Sequence, residues 1–193
     1  MTPGNSSKKS VNYGDGREAL LEAALRLVAK GGLRALKYRT LAEEAGVTHG
    51  LIRHYFGSRE ALIREAIAYA TSNSIDESGL TEEITSLDDL AHGLVESIDD
   101  DPETQVFQYE LLIESIRHPE MLATAQKLHE DYRTAMQKHL SGVGLGNDPA
   151  LANLVFAALD GLVFEQVVTG DKEVSKQAID KLKELLKVYK AAL

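Results

Sequence analysis

Apolar positions recur along this chain at intervals of three and four residues, in runs punctuated by Gly, Pro, Asp and Ser. That spacing places side chains on one face of a helix. From Arg17 to Lys30 the face is Leu20, Ala24, Leu27 and Val28, and Gly31-Gly32 stops it. Arg39–Ala45 reads as a short second helix closed by Gly46. Thr48 is placed to cap a third, His49–Phe56, which breaks at Gly57. Ser58 is placed to cap a fourth, with Leu62, Ile63, Ala66, Ile67 and Ala70 along one side. Ser86 opens a fifth through Leu87, Leu90, Leu94 and Ile98, and Asp101-Pro102 opens a sixth that runs to about Arg117. Pro119 starts a long seventh through Met121, Ala125, Leu128, Tyr132 and Met136, ending at Gly142. Asp148-Pro149 opens the eighth, apolar on nearly every side and stopped by Gly170. Asp171 opens the ninth, striped by Val174, Ala178, Leu182, Leu185 and Tyr189. Pro stands where a first helical turn tolerates it and Gly where helices end. No alternating strand pattern and no internal repeat accompany the nine segments, so the pattern predicts an all-α, nine-helix fold.

Charge divides the chain. Through Ser74 there are 11 Lys and Arg against 7 Asp and Glu; from Ile75 onward there are 10 against 23. A basic first third on an acidic remainder is an asymmetry found in nucleic-acid-binding modules joined to a different domain, although chance surface variation yields it too. Residues 1–14, rich in Gly, Ser, Asn and Lys, read as a flexible arm. No apolar run follows Lys8-Lys9, so no secretory leader is expected. The absence of cysteine removes disulfides and thiolate chemistry and fits a reducing, cytoplasmic setting. The most apolar stretch, Leu151–Val168, is interrupted by Asn153, Asp160, Glu165 and Gln166, and no membrane span is expected from it.

Residues 38–57 carry the sharpest signal. Two short helices joined by a tight turn must approach closely, which Ala42 and Ala45 allow, and Gly46 supplies the left-handed turn residue. Leu41, Val47, Ile52 and Phe56 form the inward side, leaving His49, Gly50, Arg53 and His54 outward. Such a face suits a recognition helix in the major groove of double-stranded DNA, and a helical hairpin with a solvated face has the same geometry.

The longer string decides between them. Leu41-Ala42-Glu43-Glu44-Ala45-Gly46-Val47-Thr48-His49-Gly50, followed by His54-Tyr55-Phe56-Gly57-Ser58-Arg59-Glu60-Ala61-Leu62, resembles the DNA-binding domain of TetR-family transcriptional regulators, over about Arg17 to Ile67. The resemblance implies a TetR-type fold: a helix-turn-helix domain over residues 15–60, then a ligand-binding and dimerisation domain over 61–193. It implies that Thr48 caps the recognition helix near a phosphate, that His49 and Gly50 face DNA, and that Tyr55, Arg39 and Arg59 contact phosphate or base. Three positions depart from the family's habit. Arg53 stands where Tyr is usual and is suited to a bidentate guanine contact, with about 1–3 kcal/mol of discrimination. Leu51 replaces a small polar residue and either meets a thymine methyl or packs inward. Lys37 replaces the Ser or Thr cap before the second helix, weakening the cap while adding a phosphate partner.

The resemblance also implies a homodimer on a pseudo-palindromic operator, joined through the last two helices (about 149–192), with burial inside one chain as the competing account of their apolar surface. It implies a small-molecule effector among the middle helices, whose arrival moves helix four and releases the protein, a repressor, from DNA. Candidate lining residues are Phe107, Tyr109, Leu112, Ile116, Tyr132, Met136, Phe156 and Asp160, each also explicable as core packing. Asp160 and Glu165, with Gln105, Gln108 and Glu114, are polar groups in apolar surroundings, and two acids lining a pocket would suit a cationic ligand. Glu114 and His118 lie one turn apart, but no Glu-x-x-His or His-Glu-x-x-His is present, nor a phosphate-binding Gly loop or Gly-x-Ser-x-Gly elbow. No cofactor, metal or catalytic set is therefore expected. The alternative on the same fold is a ligand-independent DNA-binding protein whose acidic domain recruits a protein partner.

Overall fold

The computed structural model describes residues 13–193. The arm expected over 1–14 lies outside the described residues except for its last two, which begin the first helix. Among the described residues the chain forms nine α-helices and no strand: α1 Tyr13–Gly31, α2 Tyr38–Ala45, α3 His49–Phe56, α4 Arg59–Glu77, α5 Leu94–Asp100, α6 Pro102–Arg117, α7 Leu122–Ser141, α8 Pro149–Thr169 and α9 Lys172–Ala191.

Most boundaries follow local chemistry. Asp101, Asp148 and Asp171 cap α6, α8 and α9 through their carboxylates, each accepting from first-turn backbone N–H groups. Ser58 caps α4 by accepting from the Ala61 N–H at 3.1 Å. Gly46 ends α2 in the left-handed region at φ 65°, and Gly170 ends α8 at φ 72°. Two expected helices differ. Ser86 caps only a 3₁₀ turn, Leu87–Asp89, and the chain then bends through Ala91 (φ 56°) and Gly93 (φ 79°) before α5 begins at Leu94. Leu87 and Leu90 are buried, and their i, i+3 spacing serves a 3₁₀ turn as well as an α-helix. Pro119–Met121 is likewise a 3₁₀ turn ahead of α7.

The apolar residues gather into two clusters. One joins Leu20, Ala24, Val28, Leu41, Ile52, Phe56, Leu62 and Ala66 of α1–α4, and it is completed by Phe107 and Leu111 of α6 and Leu128 of α7. The other joins Leu87, Leu90 and Val95 to Met136 and Leu140 of α7, Val155, Phe156 and Leu159 of α8, and Ile179 and Leu186 of α9. Tyr132 packs against both. By length and composition alone α8 is apolar enough to cross a membrane, with a mean hydropathy of 1.6, although its polar residues were expected to interrupt such a span. Its Val155, Leu159, Val163 and Gln166 are buried against neighbouring helices.

Two glycines separate backbone strain from steric exclusion. Gly46 has open space where a Cβ would stand, so Gly46→Ala should cost only the left-handed penalty, about 1–2 kcal/mol. At Gly142 a Cβ would meet the Ile84 carbonyl oxygen at 2.3 Å, and Gly142→Ala should be the more destabilising of the two. Urea denaturation midpoints at unchanged slope would measure both.

Candidate DNA-binding surface and effector cavity

α2 and α3 have eight residues each, too short to be stable alone, so their placement comes from what they pack on. Leu41 and Ile52 are fully buried and Phe56 nearly so. The turn between them is closed by Val47 N–H donating to the Ala42 carbonyl at 3.0 Å. Glu44 of α2 faces Arg26 (3.4 Å) and Lys30 (3.6 Å) of α1, and Arg17 of α1 pairs with Glu65 of α4 while lying 5.8 Å from the centroid of Phe56. These contacts fix the recognition helix from behind.

Outward, Thr48, His49, Gly50, Arg53 and His54 are exposed, whereas Leu51 and Tyr55 are half-buried. Tyr55 and Ala45 pack on the N-terminal core, and the Tyr55 ring lies 5.8 Å from that of His54. Thr48 sits at the N-cap of α3, but its side chain makes no capping hydrogen bond, so the expected cap is absent and the first-turn amides are left to other acceptors. At α2 the cap is reversed. Lys37 contributes no side-chain cap; the Thr40 hydroxyl accepts from the Lys37 N–H at 3.2 Å and lies 2.7 Å from the Ala35 carbonyl oxygen. Arg39 extends into solvent beside Glu43 at 3.9 Å.

Arg59 behaves differently from the sequence expectation of a phosphate contact. Its guanidinium donates to the Leu33 carbonyl at 2.7 Å and to the Leu36 carbonyl at 3.1 Å, tying the start of α4 to the 3₁₀ turn Leu33–Ala35. The Leu33 carbonyl also accepts from the Leu36 N–H at 3.3 Å, and the guanidinium fork adds a second bond there and one to the Leu36 carbonyl. Arg59 nevertheless borders a shallow groove with Arg34, Lys37, Tyr38 and Arg53, so four cationic side chains surround one depression next to α3. Tyr38, absent from the sequence candidates, packs edge-on to His49 with ring centroids 5.4 Å apart. An aromatic one residue after an N-cap is easily taken for core, which is why the pattern did not flag it.

The second feature is a cavity between α4, α5, α6, α7 and α8, with about 710 Å³ of empty space including its open mouth. Tyr132, Met136, Phe156 and Asp160 line it, as do Ser74, Glu77, Ser78, Leu94, Asp101, Thr104, Gln105 and Gln108. Tyr109 stands behind it: its hydroxyl lies 3.1 Å from both the Asp160 carbonyl oxygen and Oδ1, and burial pushes its pKa far upward. Phe107 belongs to the N-terminal core and does not reach the cavity. Leu112 borders a separate surface groove with Leu122 and His129, and Ile116 is 82% exposed near the end of α6. They lie about one and two turns beyond Gln108, the furthest α6 residue lining the cavity. Glu165 is exposed, and Glu114 pairs with Arg117 at 3.0 Å and His118 at 3.2 Å away from the cavity. Ser74, Glu77 and Ser78 were invisible as site residues because only packing brings the end of α4 to this wall.

The two arginines beside the groove separate in experiment. Arg59→Ala should lower the unfolding midpoint, losing about 1–3 kcal/mol as two charge-assisted hydrogen bonds to backbone carbonyls are removed. Arg53→Ala should leave the midpoint within about 0.5 kcal/mol of the parent, as expected for an exposed position. Thermal denaturation followed by circular dichroism distinguishes them.

Comparison with known proteins agrees with this architecture. Residues 20–66 match the bacterial regulatory proteins of the tetR family, and residues 83–187 match the tetracyclin repressor-like C-terminal domain. The HTH-type transcriptional regulator BetI of Agrobacterium fabrum is 28% identical over 155 residues, covering 76% of this chain and 74% of that protein. Salmonella enterica GusR superposes with a TM-score of 0.72 at 17% identity, covering 93% of this chain and 97% of that one. The multidrug binding protein EbrR complexed with malachite green superposes with a TM-score of 0.64 at 23% identity, covering 88% of this chain and 96% of that one. With a helix-turn-helix held on an N-terminal core, a helical second half around a cavity and both halves matched in sequence, this chain belongs to the TetR family of DNA-binding transcriptional regulators.

Proposed function

We propose that the protein is a repressor that binds a pseudo-palindromic operator in the cytoplasm as a homodimer and leaves it when a small molecule fills the cavity. The observation that carries this reading is the shared helix α4. Its first turn is tied by Arg59 to the turn before α2, and its last turn, through Ser74, Glu77 and Ser78, forms one wall of the cavity. Anything that moves that wall is connected to the recognition helix by one rigid element. EbrR, crystallised with several small molecules, supports the ligand reading by analogy. The presence of a cavity favours ligand control over a ligand-independent protein recruiter.

Within the DNA surface, Arg53 is the proposed base reader, with His49 and Gly50 beside it. Lys37, Arg39, Tyr55 and the α3 N-terminus at Thr48 are the proposed phosphate-side contacts, and His54 and Leu51 flank them. Arg59 acts chiefly as the brace described above. The proposed dimer face is the outer side of α8 and α9. Leu154, Phe164 and Val168 of α8 and Leu185, Val188 and Tyr189 of α9 are exposed, as are Ala157, Ala158 and Gly161. Two such helices from each copy would bury this surface in a four-helix arrangement.

Selection of bound fragments from genomic DNA should return a two-fold related sequence with half-sites about one helical turn apart. Arg53→Ala should relax preference at one base pair per half-site, costing about 1–3 kcal/mol there. Recovery of no sequence preference, with Arg53→Ala changing nothing, would sink the operator reading. For the dimer, Gly161→Arg is informative because nothing lies within 4 Å of the added Cβ in one chain. The variant should fold normally, sediment as a monomer and lose operator affinity.

A further inference from the structure

This inference rests on the cavity being the effector site and adds the chemical class of what enters it. Three carboxylates reach the cavity from three helices: Glu77 near the end of α4, Asp101 at the cap of α6, and Asp160 midway along α8. Among the described residues no Lys, Arg or His lines it. Glu77 stands at the mouth, where burial and the neighbouring Asp101, Asp100 and Asp76 all raise its pKa. Asp160 lies deeper; burial raises its pKa, opposed by the Tyr109 hydroxyl and by His129. Anions in such a setting are disfavoured by lost hydration and by one another, and a positive charge placed among them relieves both.

The remaining walls suit the body of such a molecule. Tyr132 stacks on Phe156 with centroids 5.4 Å apart and planes 12° from parallel, and Met136, Leu94, Leu159 and Val163 complete an apolar surround. Aromatic faces attract cations as well as apolar rings. Most of the neutral polar groups, Gln105 apart, are already occupied. The Gln108 amide donates to the Ser74 hydroxyl at 3.3 Å, and the Tyr132 hydroxyl donates to the Gln108 carbonyl at 3.0 Å. Asp101 accepts from the Thr104 N–H and hydroxyl. What the cavity has left to offer a ligand is apolar surface, the Gln105 amide and negative charge.

We propose that the cavity selects organic cations: flat, largely apolar molecules with one positive charge, seated against the Tyr132–Phe156 pair with the charge toward Asp160 and Glu77. The same carboxylates exclude anions of similar shape.

Calorimetric titration of the full-length, DNA-free protein with three isosteric probes tests this. The probes are N-methylacridinium, acridine at a pH where it is neutral, and acridine-9-carboxylate. The cation should bind about tenfold or more tighter than the neutral ring, and the anion should not bind measurably. Asp160→Asn, which keeps an acceptor for Tyr109, combined with Glu77→Gln should bring the cation and neutral affinities together while leaving the neutral ring's affinity unchanged. Asp101 is spared because it caps α6. Equal affinity for cation and neutral ring, tighter binding of the anion, unaltered preference in the double variant, or failure of all three probes to bind would each overturn the proposal. Operator release is scored separately. A neutral probe that binds as tightly as the cation and releases DNA removes the cation class alone, whereas a carboxylate-dependent cation that leaves DNA binding untouched removes the effector reading alone.

Discussion

The structure depends on α6 and α7 completing a core that α1–α4 cannot close by themselves. Phe107 and Leu111 are fully buried, and Leu128 nearly so, in the same cluster as Leu41 and Ile52 behind the helix-turn-helix. Two eight-residue helices have too few backbone hydrogen bonds to persist without such backing. The recognition surface is therefore held rigid by residues more than fifty positions away, and its orientation is a property of the whole chain. Packed interiors transmit displacement because they have no slack volume to absorb it.

Around that joint the polar contacts add direction. Ser74 of α4, Gln108 of α6 and Tyr132 of α7 form a hydrogen-bonded chain at the cavity wall, and Tyr132 touches both cores. On the opposite side α5 closes the cavity with Leu94 and Ser97. It is fastened to α9 by Lys172–Asp99 and Lys176–Glu96 pairs and to α8 by the Gln166 amide, which donates to the Val95 carbonyl at 2.8 Å. The exposed ion pairs each contribute little, but the buried Gln166 bond is costly to break. The cavity thus borders the support of the DNA surface on one side and the proposed dimer face on the other.

The outward face of α3 was largely legible because it depends on neighbours in sequence. A Gly turn, small residues in α2 and the three- and four-residue spacing place His49, Gly50, Arg53 and His54 outward regardless of the rest of the chain. Arg59 escaped that logic. The family resemblance implied a phosphate contact for it, but the carbonyls of Leu33 and Leu36 come within its reach only after α4 has docked. Tyr38 was missed for a similar reason, since its contact with His49 crosses the turn.

The cavity was legible only in part. Tyr132, Met136, Phe156 and Asp160 share inward faces of α7 and α8, which periodicity reveals. Leu112 and Ile116 follow the same helical spacing on α6, but whether that face meets α8 or solvent depends on where the helices cross. By itself, the sequence determined most helix limits, the turn between α2 and α3, the charge division and the outward face of α3, because caps, turns and amphipathic spacing act over a few residues. Tertiary structure alone decided that Ser86–Gly93 is not an α-helix, that Arg59 bonds the Leu33 and Leu36 carbonyls, and that Glu77 and Asp101 join Asp160 while Glu165 does not. Each of those outcomes turns on which distant surfaces meet, and burial energy decides that over the whole chain at once.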